Sequence, residues 1–204
     1  MAAISISLQR LEAEICRLAA LPMFIHHQWY VDHHLKIVEQ LALELCELHP
    51  EADRDIVCAM VWLHDLGKIK TSKTLPRNEE DAITFGDGIA LLLEAGFTED
   101  FSTRVIENLR TFEQHQNDLS KAPIEVQIAS SADGCAHLIG PFYSLWWYEN
   151  PQKPVNDLIT DNMNKLTKDW ERKIVLPEAK LAFQSRRDQI LEYQPVNRKK
   201  RYFS

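Results

Sequence analysis

From Ile56 to Leu63 the chain reads Ile-Val-Cys-Ala-Met-Val-Trp-Leu without one polar residue, and His64-Asp65 follows at once. Glu51-Ala52-Asp53 opens a helix here and Gly67 stops it, after about residue 66. A helix that is apolar on every face has no side for solvent, so other elements must surround it. An imidazole and a carboxylate at the end of such a segment carry a desolvation cost unless something pairs with both. A divalent metal ion meets that need.

The surrounding elements also read as helices. Only six glycines are present, and alternating β-branched runs are nearly absent. An amphipathic helix is expected over 4–20, halted near Pro22, and a stronger one over 32–48, ended by Leu48-His49-Pro50. Residues 68–77 form a polar loop with a proline. Helices over 79–94, closed by Ala95-Gly96, and from a Thr98 cap to about 116 come next. Pro123 takes the first position of a helix reaching His137. Gly140-Pro141 then interrupts the chain before an aromatic stretch at 142–148, and helices over 154–172 and 177–193 follow, the last opened by Pro177. No repeat or domain boundary is visible. The chain reads as one all-α domain over 1–193 with a basic tail, 194–204, that is solvated and frayed or touches an acidic partner.

With 204 residues, 45% hydrophobic and 26% charged, the composition suits a single globular domain with a sizeable core. No stretch nears the roughly 20 apolar residues that cross a bilayer, and residues 1–7 lack the marks of a signal peptide, so no membrane partner is expected. Cys16, Cys46, Cys58 and Cys135 are scattered without a CxxC pair. They fit small core residues of a reduced, cytoplasmic protein rather than a cysteine zinc site. The formal net charge of −7 argues against an extended nucleic-acid surface.

In the 32–48 helix the apolar stripe Val38, Leu41, Leu45 and Leu48 steps by three and four, and His34 stands four residues before Val38. His34 therefore faces the core, whereas His33 lies about 100° round the helix. Asp133 shares a helical face with Val126, Ala129 and Ala136. Such small neighbours let other helices approach and draw the carboxylate inward. Each residue has a plainer reading beside the ligand one: His34 as a hydrogen-bonded core histidine, Asp133 as an internal cap or ion pair.

In this order, His34, then His64-Asp65, then Asp133, the chain resembles the HD-domain superfamily of metal-dependent phosphohydrolases over about 25–193. Leu66-Gly67-Lys68 after the pair is similar to the family's His-Asp-x-Gly-Lys form. The resemblance implies an HD-domain helical bundle in which His34, His64, Asp65 and Asp133 hold one divalent ion. It also implies cleavage of a phosphomonoester or phosphodiester, of a nucleotide above all, by a metal-activated water. Manganese, cobalt, nickel, iron, zinc and magnesium all suit such ligands, and mixed nitrogen and oxygen favour a transition metal. Asp65 is then both ligand and acceptor for the water's proton. Lys68, one turn on, contacts the phosphate or simply complements a helix C-terminus.

His33, His115 and Arg186 are the further candidates to touch substrate, His115 being equally a plain helix end. By analogy alone, Asn164-Lys165 also point toward substrate, and residues 26–30 form one pocket edge. The aromatic stretch either stacks on a base or forms a core plug or dimer surface. Glu79 and Glu80 suit a general base less well than a helix N-terminus.

The departures are informative. Residues 83–88 carry no histidine where dinuclear members have one, which favours a single metal. The Gly-Tyr-Pro signature of cyclic dinucleotide phosphodiesterases is absent. Lys68-Ile69-Lys70 stands where alarmone hydrolases carry Glu-Asp, and Lys68 replaces a glutamate of one deoxynucleotidase family. Two rival functions remain: a dinuclear-iron oxygenase or non-phosphate hydrolase on the same bundle, and a regulatory module that binds metal or nucleotide without turnover.

Overall fold

The computed structural model describes residues 5–71, 75–114 and 118–193. Among them the chain forms α1 (Ile6–Ala19), α2 (Lys36–Leu48), α3 (Arg54–Leu63), a short α4 (Leu66–Ile69), α5 (Arg77–Ala95) and α6 (Glu99–Glu113). There follow α7 (Ile124–Ala136), α8 (Phe142–Glu149), α9 (Val155–Lys168) and α10 (Pro177–Leu191), with no strand among the described residues. None of these helices is long and apolar enough to cross a membrane. The basic tail at 194–204 lies outside the described residues.

Local chemistry sets the ends. The Ser5 side chain accepts a hydrogen bond from the Leu8 amide at the start of α1, and Thr98 accepts one from Phe101 at the start of α6. Gly96 closes α5 at φ 100°, a left-handed conformation open to glycine without strain. Pro177 occupies the first turn of α10. Two helices are extended by single π-type turns, Val31–Leu35 ahead of α2 and Asp169–Lys173 after α9. Such turns recur at functional sites because they re-aim a side chain without ending the helix.

The apolar segment behaves as its composition demands: every residue from Ile56 to Leu63 is buried. Trp62, 1% exposed, donates its indole N–H to Glu39 on α2 at 2.7 Å. The second central helix is α7, buried throughout from Ile128 to Ala136 and packed on both α2 and α3. Its small residues permit close approach. A Cβ at Gly134 would stand 2.7 Å from Ile174 Cγ1, so the Asp169–Lys173 turn and its continuation lie directly against the helix. Hydroxyls of α7 fasten that segment: Ser130 donates to the Lys173 carbonyl at 2.9 Å, and Ser131 accepts from the Val175 and Leu176 amides at 3.1 Å.

Four sequence expectations shift. Gly67 is not a helix stop but a buried residue inside α4, because a Cβ there would lie 2.2 Å from the Glu80 carbonyl oxygen on α5. Pro123 precedes α7 rather than opening it, and Arg77 already belongs to α5. The helix expected over 154–172 is α9 continued by its π turn.

The end of α2 meets the start of α10 where His49 Nε2 lies 2.6 Å from Glu178 Oε1. The hydrogen bond to Glu178 raises the His49 pKa above its ordinary value despite some desolvation. A raised folded-state pKa gives stabilisation that is complete below about 6.5, the unfolded value, and is lost as pH climbs through the folded value. At this solvent-accessible position the contribution is under about 1 kcal/mol. His49→Gln is therefore expected to flatten the neutral-pH part of the stability profile, read as melting temperature against pH from 5.5 to 8.5.

Candidate functional site

His34 sits in the π turn that leads into α2, on the buried side predicted by the Val38 stripe, and is 2% exposed. His64 caps the C-terminus of α3, and its Nδ1 lies 2.7 Å from the Val61 carbonyl, which can only accept. Nδ1 is therefore the donor, and Nε2 is the nitrogen left to face inward. Asp65 follows at φ −111°, ψ 18°, a bridge conformation between α3 and α4. Its Oδ1 accepts from Lys68 at 2.6 Å and its Oδ2 from the Tyr30 hydroxyl at 2.9 Å. Asp133, 2% exposed, projects from α7 and pairs with Lys173 of the second π turn.

One further imidazole joins them. His137 lies one turn beyond Asp133, 5% exposed, and its ring stacks on His34 at 5.0 Å with planes 4° apart. Its Nδ1 stands 2.8 Å from Oδ2 of buried Asp169, which Lys165 holds in turn at 2.6 Å. The Lys165 ammonium lies 3.0 Å from the same nitrogen, but the carboxylate is closer and only accepts, so His137 also carries its proton on Nδ1 and aims Nε2 at Asp133. A carbonyl behind His64 and a carboxylate behind His137 form the arrangement that orients metal-ligating histidines, whereas His34 Nδ1 has no partner among the described residues.

Burial works against every charge here, and the neighbours decide the outcome. It pushes the Asp65 and Asp133 carboxyls up, but Lys68 beside the first and Lys173 beside the second hold both well below the usual range. Burial pushes His34 well below its ordinary value and His137 down as well, which favours neutral rings with a free lone pair. Burial also brings Lys165 down to about 8.

Do these residues fit a metal ion? Asp133 Oδ1 lies 3.4 Å from Nε2 of His34, 3.4 Å from Nε2 of His137 and 3.9 Å from Nε2 of His64, and Asp65 Oδ2 lies 3.7 Å from His64 Nε2. Hydrogen bonds of this kind are shorter, about 2.7–3.2 Å. Ligand atoms about 2.0–2.2 Å from one shared ion stand roughly 3.0–3.8 Å apart; three of the four separations fall in that range and the His64–Asp133 one, at 3.9 Å, lies just beyond it. Both His34, His64, Asp65 and His34, Asp133, His137 place ligand-type atoms within 4.8 Å of one another. The donor set fits a divalent metal.

The cluster lies in a cavity of about 350 Å³. Lys68, Lys165 and Lys173 also line it, with Trp29, Phe142 and Trp146 as an aromatic wall. Glu149 on α8 accepts from the Trp29 indole at 2.6 Å and pairs with His26 at 2.8 Å, fastening the 26–30 segment to the aromatic helix. Phe142, Tyr143 and Trp146 of the aromatic stretch thus face the cavity, whereas Tyr148 is 67% exposed.

The structure brings His34, His64, Asp65, Asp133 and Lys68 together. Lys165, His26, Trp29 and Tyr30, candidates by analogy, line the same cavity, whereas His33 and Arg186 do not. His33 is exposed on the far side of the π turn, as its 100° offset requires, and Arg186 is exposed on α10 with its guanidinium over the Phe183 ring. Glu79, Glu80 and Asn164 do not line the cavity either, and His115 lies outside the described residues. His137, Asp169 and Lys173 were not anticipated. The four-residue step from Asp133 to His137 was the available signal for the first, since it puts both on one helical face.

Comparison with curated proteins and with solved structures finds no match. The family model described as HD domain matches residues 31–138, more than half of the chain, and spans His34, His64, Asp65, Asp133 and His137. An all-helical fold with a buried histidine–aspartate cluster suited to a divalent ion, matched by that model, places the chain in the HD-domain family, a superfamily of metal-dependent phosphohydrolases.

Proposed function

We propose that the protein hydrolyses a phosphoester, with a nucleotide as the favoured substrate type, using one divalent transition-metal ion held by His34, His64, Asp65 and Asp133 with His137 as a fifth donor. The observation that carries this reading is the convergence of three inward Nε2 atoms and two carboxylates in one lysine-rich cavity. When bound, the ion supplies an acidified water and polarises a phosphoryl oxygen. Asp65 is kept ionised beside Lys68 and the Tyr30 hydroxyl, the state a metal-ligating carboxylate requires. Lys68, Lys165 and Lys173 offer ammonium groups to anionic oxygens of a substrate in the cavity. Asp169 holds the His137 ring in place through Nδ1. Four free cysteines, two of them buried, accord with a cytoplasmic setting.

The experiment is a panel of phosphomonoesters and phosphodiesters assayed with manganese-, cobalt- and nickel-loaded protein. Turnover that vanishes on chelation and returns with metal supports the proposal. Bound metal with no turnover on any ester overturns it in favour of a regulatory module. For the fifth donor, His137→Gln is expected to weaken cobalt binding about 10–100-fold and to change its visible absorption. Unchanged affinity and spectrum would place His137 outside the ligand set.

A further inference from the structure

The charged groups of the site match one for one. Asp65 pairs with Lys68, Asp133 with Lys173, and Asp169 with Lys165. With the histidines neutral, as metal ligation requires, this set is electrically balanced by the chain alone. A divalent ion held among its carboxylates leaves the set two positive charges in excess, a costly state for a buried site unless a ligand cancels it. A phosphomonoester is close to a dianion at neutral pH, its second pKa being about 6, whereas a phosphodiester carries a single negative charge.

The same cavity adds an independent requirement. Tyr143 is 8% exposed and Asn162 is 2% exposed, and both line the cavity. The Tyr143 hydroxyl and the Asn162 Nδ2 are buried with no hydrogen-bond partner among the described residues. Buried polar groups in native proteins nearly always have partners, so these two await one from a ligand. Both can donate, and the cavity they line also has the aromatic side chains of Trp29 and Phe142 in its wall. A volume of about 350 Å³ lies near the lower end of the range for ligand pockets, about 300–1,000 Å³, and suits one small molecule rather than a polymer.

We propose that the cavity selects a phosphomonoester dianion over a phosphodiester, with a leaving group that pairs a flat ring with hydrogen-bond acceptors, the chemistry of a nucleoside monophosphate. This rests on the metal-site reading above. The test is calorimetric binding of inorganic phosphate and of dimethyl phosphate to manganese-loaded protein at pH 7.5, with metal content measured on the same sample. Phosphate is expected to bind at least about tenfold tighter than dimethyl phosphate. Lys165→Met is expected to reduce that preference below about threefold, and Lys165→Arg to keep it. Equal affinities with the ion bound overturn the selection of a dianion and leave the metal-site reading standing; protein that retains no manganese overturns both. The wild-type comparison decides the matter even if the methionine variant fails to fold. For the leaving group, Tyr143→Phe is expected to weaken adenosine and uridine several-fold more than it weakens inorganic phosphate. Equal effects on all three would remove the nucleoside part of the proposal.

Discussion

Asp65→Ala is expected to reduce bound metal from near one ion per chain to near none and to cut phosphoester hydrolysis at least about 10³-fold, or about 4 kcal/mol of transition-state stabilisation. The size of the effect follows from how many roles meet in one carboxylate. Asp65 faces His64 Nε2 at 3.7 Å, accepts from Lys68 at 2.6 Å and accepts from the Tyr30 hydroxyl at 2.9 Å. Removing it leaves that buried hydroxyl without its acceptor and Lys68 without its anion. Asp65→Asn keeps the volume and is expected to show nearly the same loss of metal, since an amide is a poorer ligand. Elemental mass spectrometry and steady-state rates on both variants check the expectation, with circular dichroism to confirm helicity. Full metal content in either variant would remove Asp65 from the site.

The second large effect is on stability and involves no charged group. Gly67→Ala is expected to destabilise the fold by about 3 kcal/mol and lower the melting temperature by roughly 6–12 °C. The added Cβ would lie 2.2 Å from the Glu80 carbonyl oxygen and 2.8 Å from its carbonyl carbon, and backbone cannot swing away as a side-chain tip can. The Gly67 amide also donates to Thr84 Oγ1 at 3.0 Å, so α4 and α5 must separate at a point where they are already fastened. Because α4 follows Asp65 directly, the same variant is expected to weaken metal binding. Gly86→Ala is the control: nothing lies within 4 Å of a Cβ there, and alanine is the better helix former. A thermal melt of Gly67→Ala that matches wild type would contradict the close approach of α4 to α5.

The helical class was legible because the signals agreed: a fully apolar helix, glycine stops, capping residues and few β-branched alternations. His34 and Asp133 could be placed inward from spacing alone, since helical periodicity decides which face a residue occupies. Gly67 shows the limit of such reasoning. Glycine after an apolar helix ordinarily marks a C-terminus, and only the tertiary contact with Glu80 reveals why glycine stands there. His137 escaped because it sits at the very end of α7, where a histidine usually suits the helix dipole. Asp169 and Lys173 escaped for a deeper reason. Lys173 reaches the cavity, and Asp169 the His137 ring, through a π turn docked on Gly134, and neither the turn nor the docking leaves a periodic mark in the sequence.

The central claim is that this cluster holds a metal ion. Its most direct test is the metal content of the wild-type protein by elemental mass spectrometry, after dialysis against manganese or cobalt and removal of unbound ion. The account predicts close to one ion per chain, retained on dilution and released by chelator. Two tightly held ions would point instead to a dinuclear centre, and none, with either metal, would contradict the site and with it the hydrolytic function.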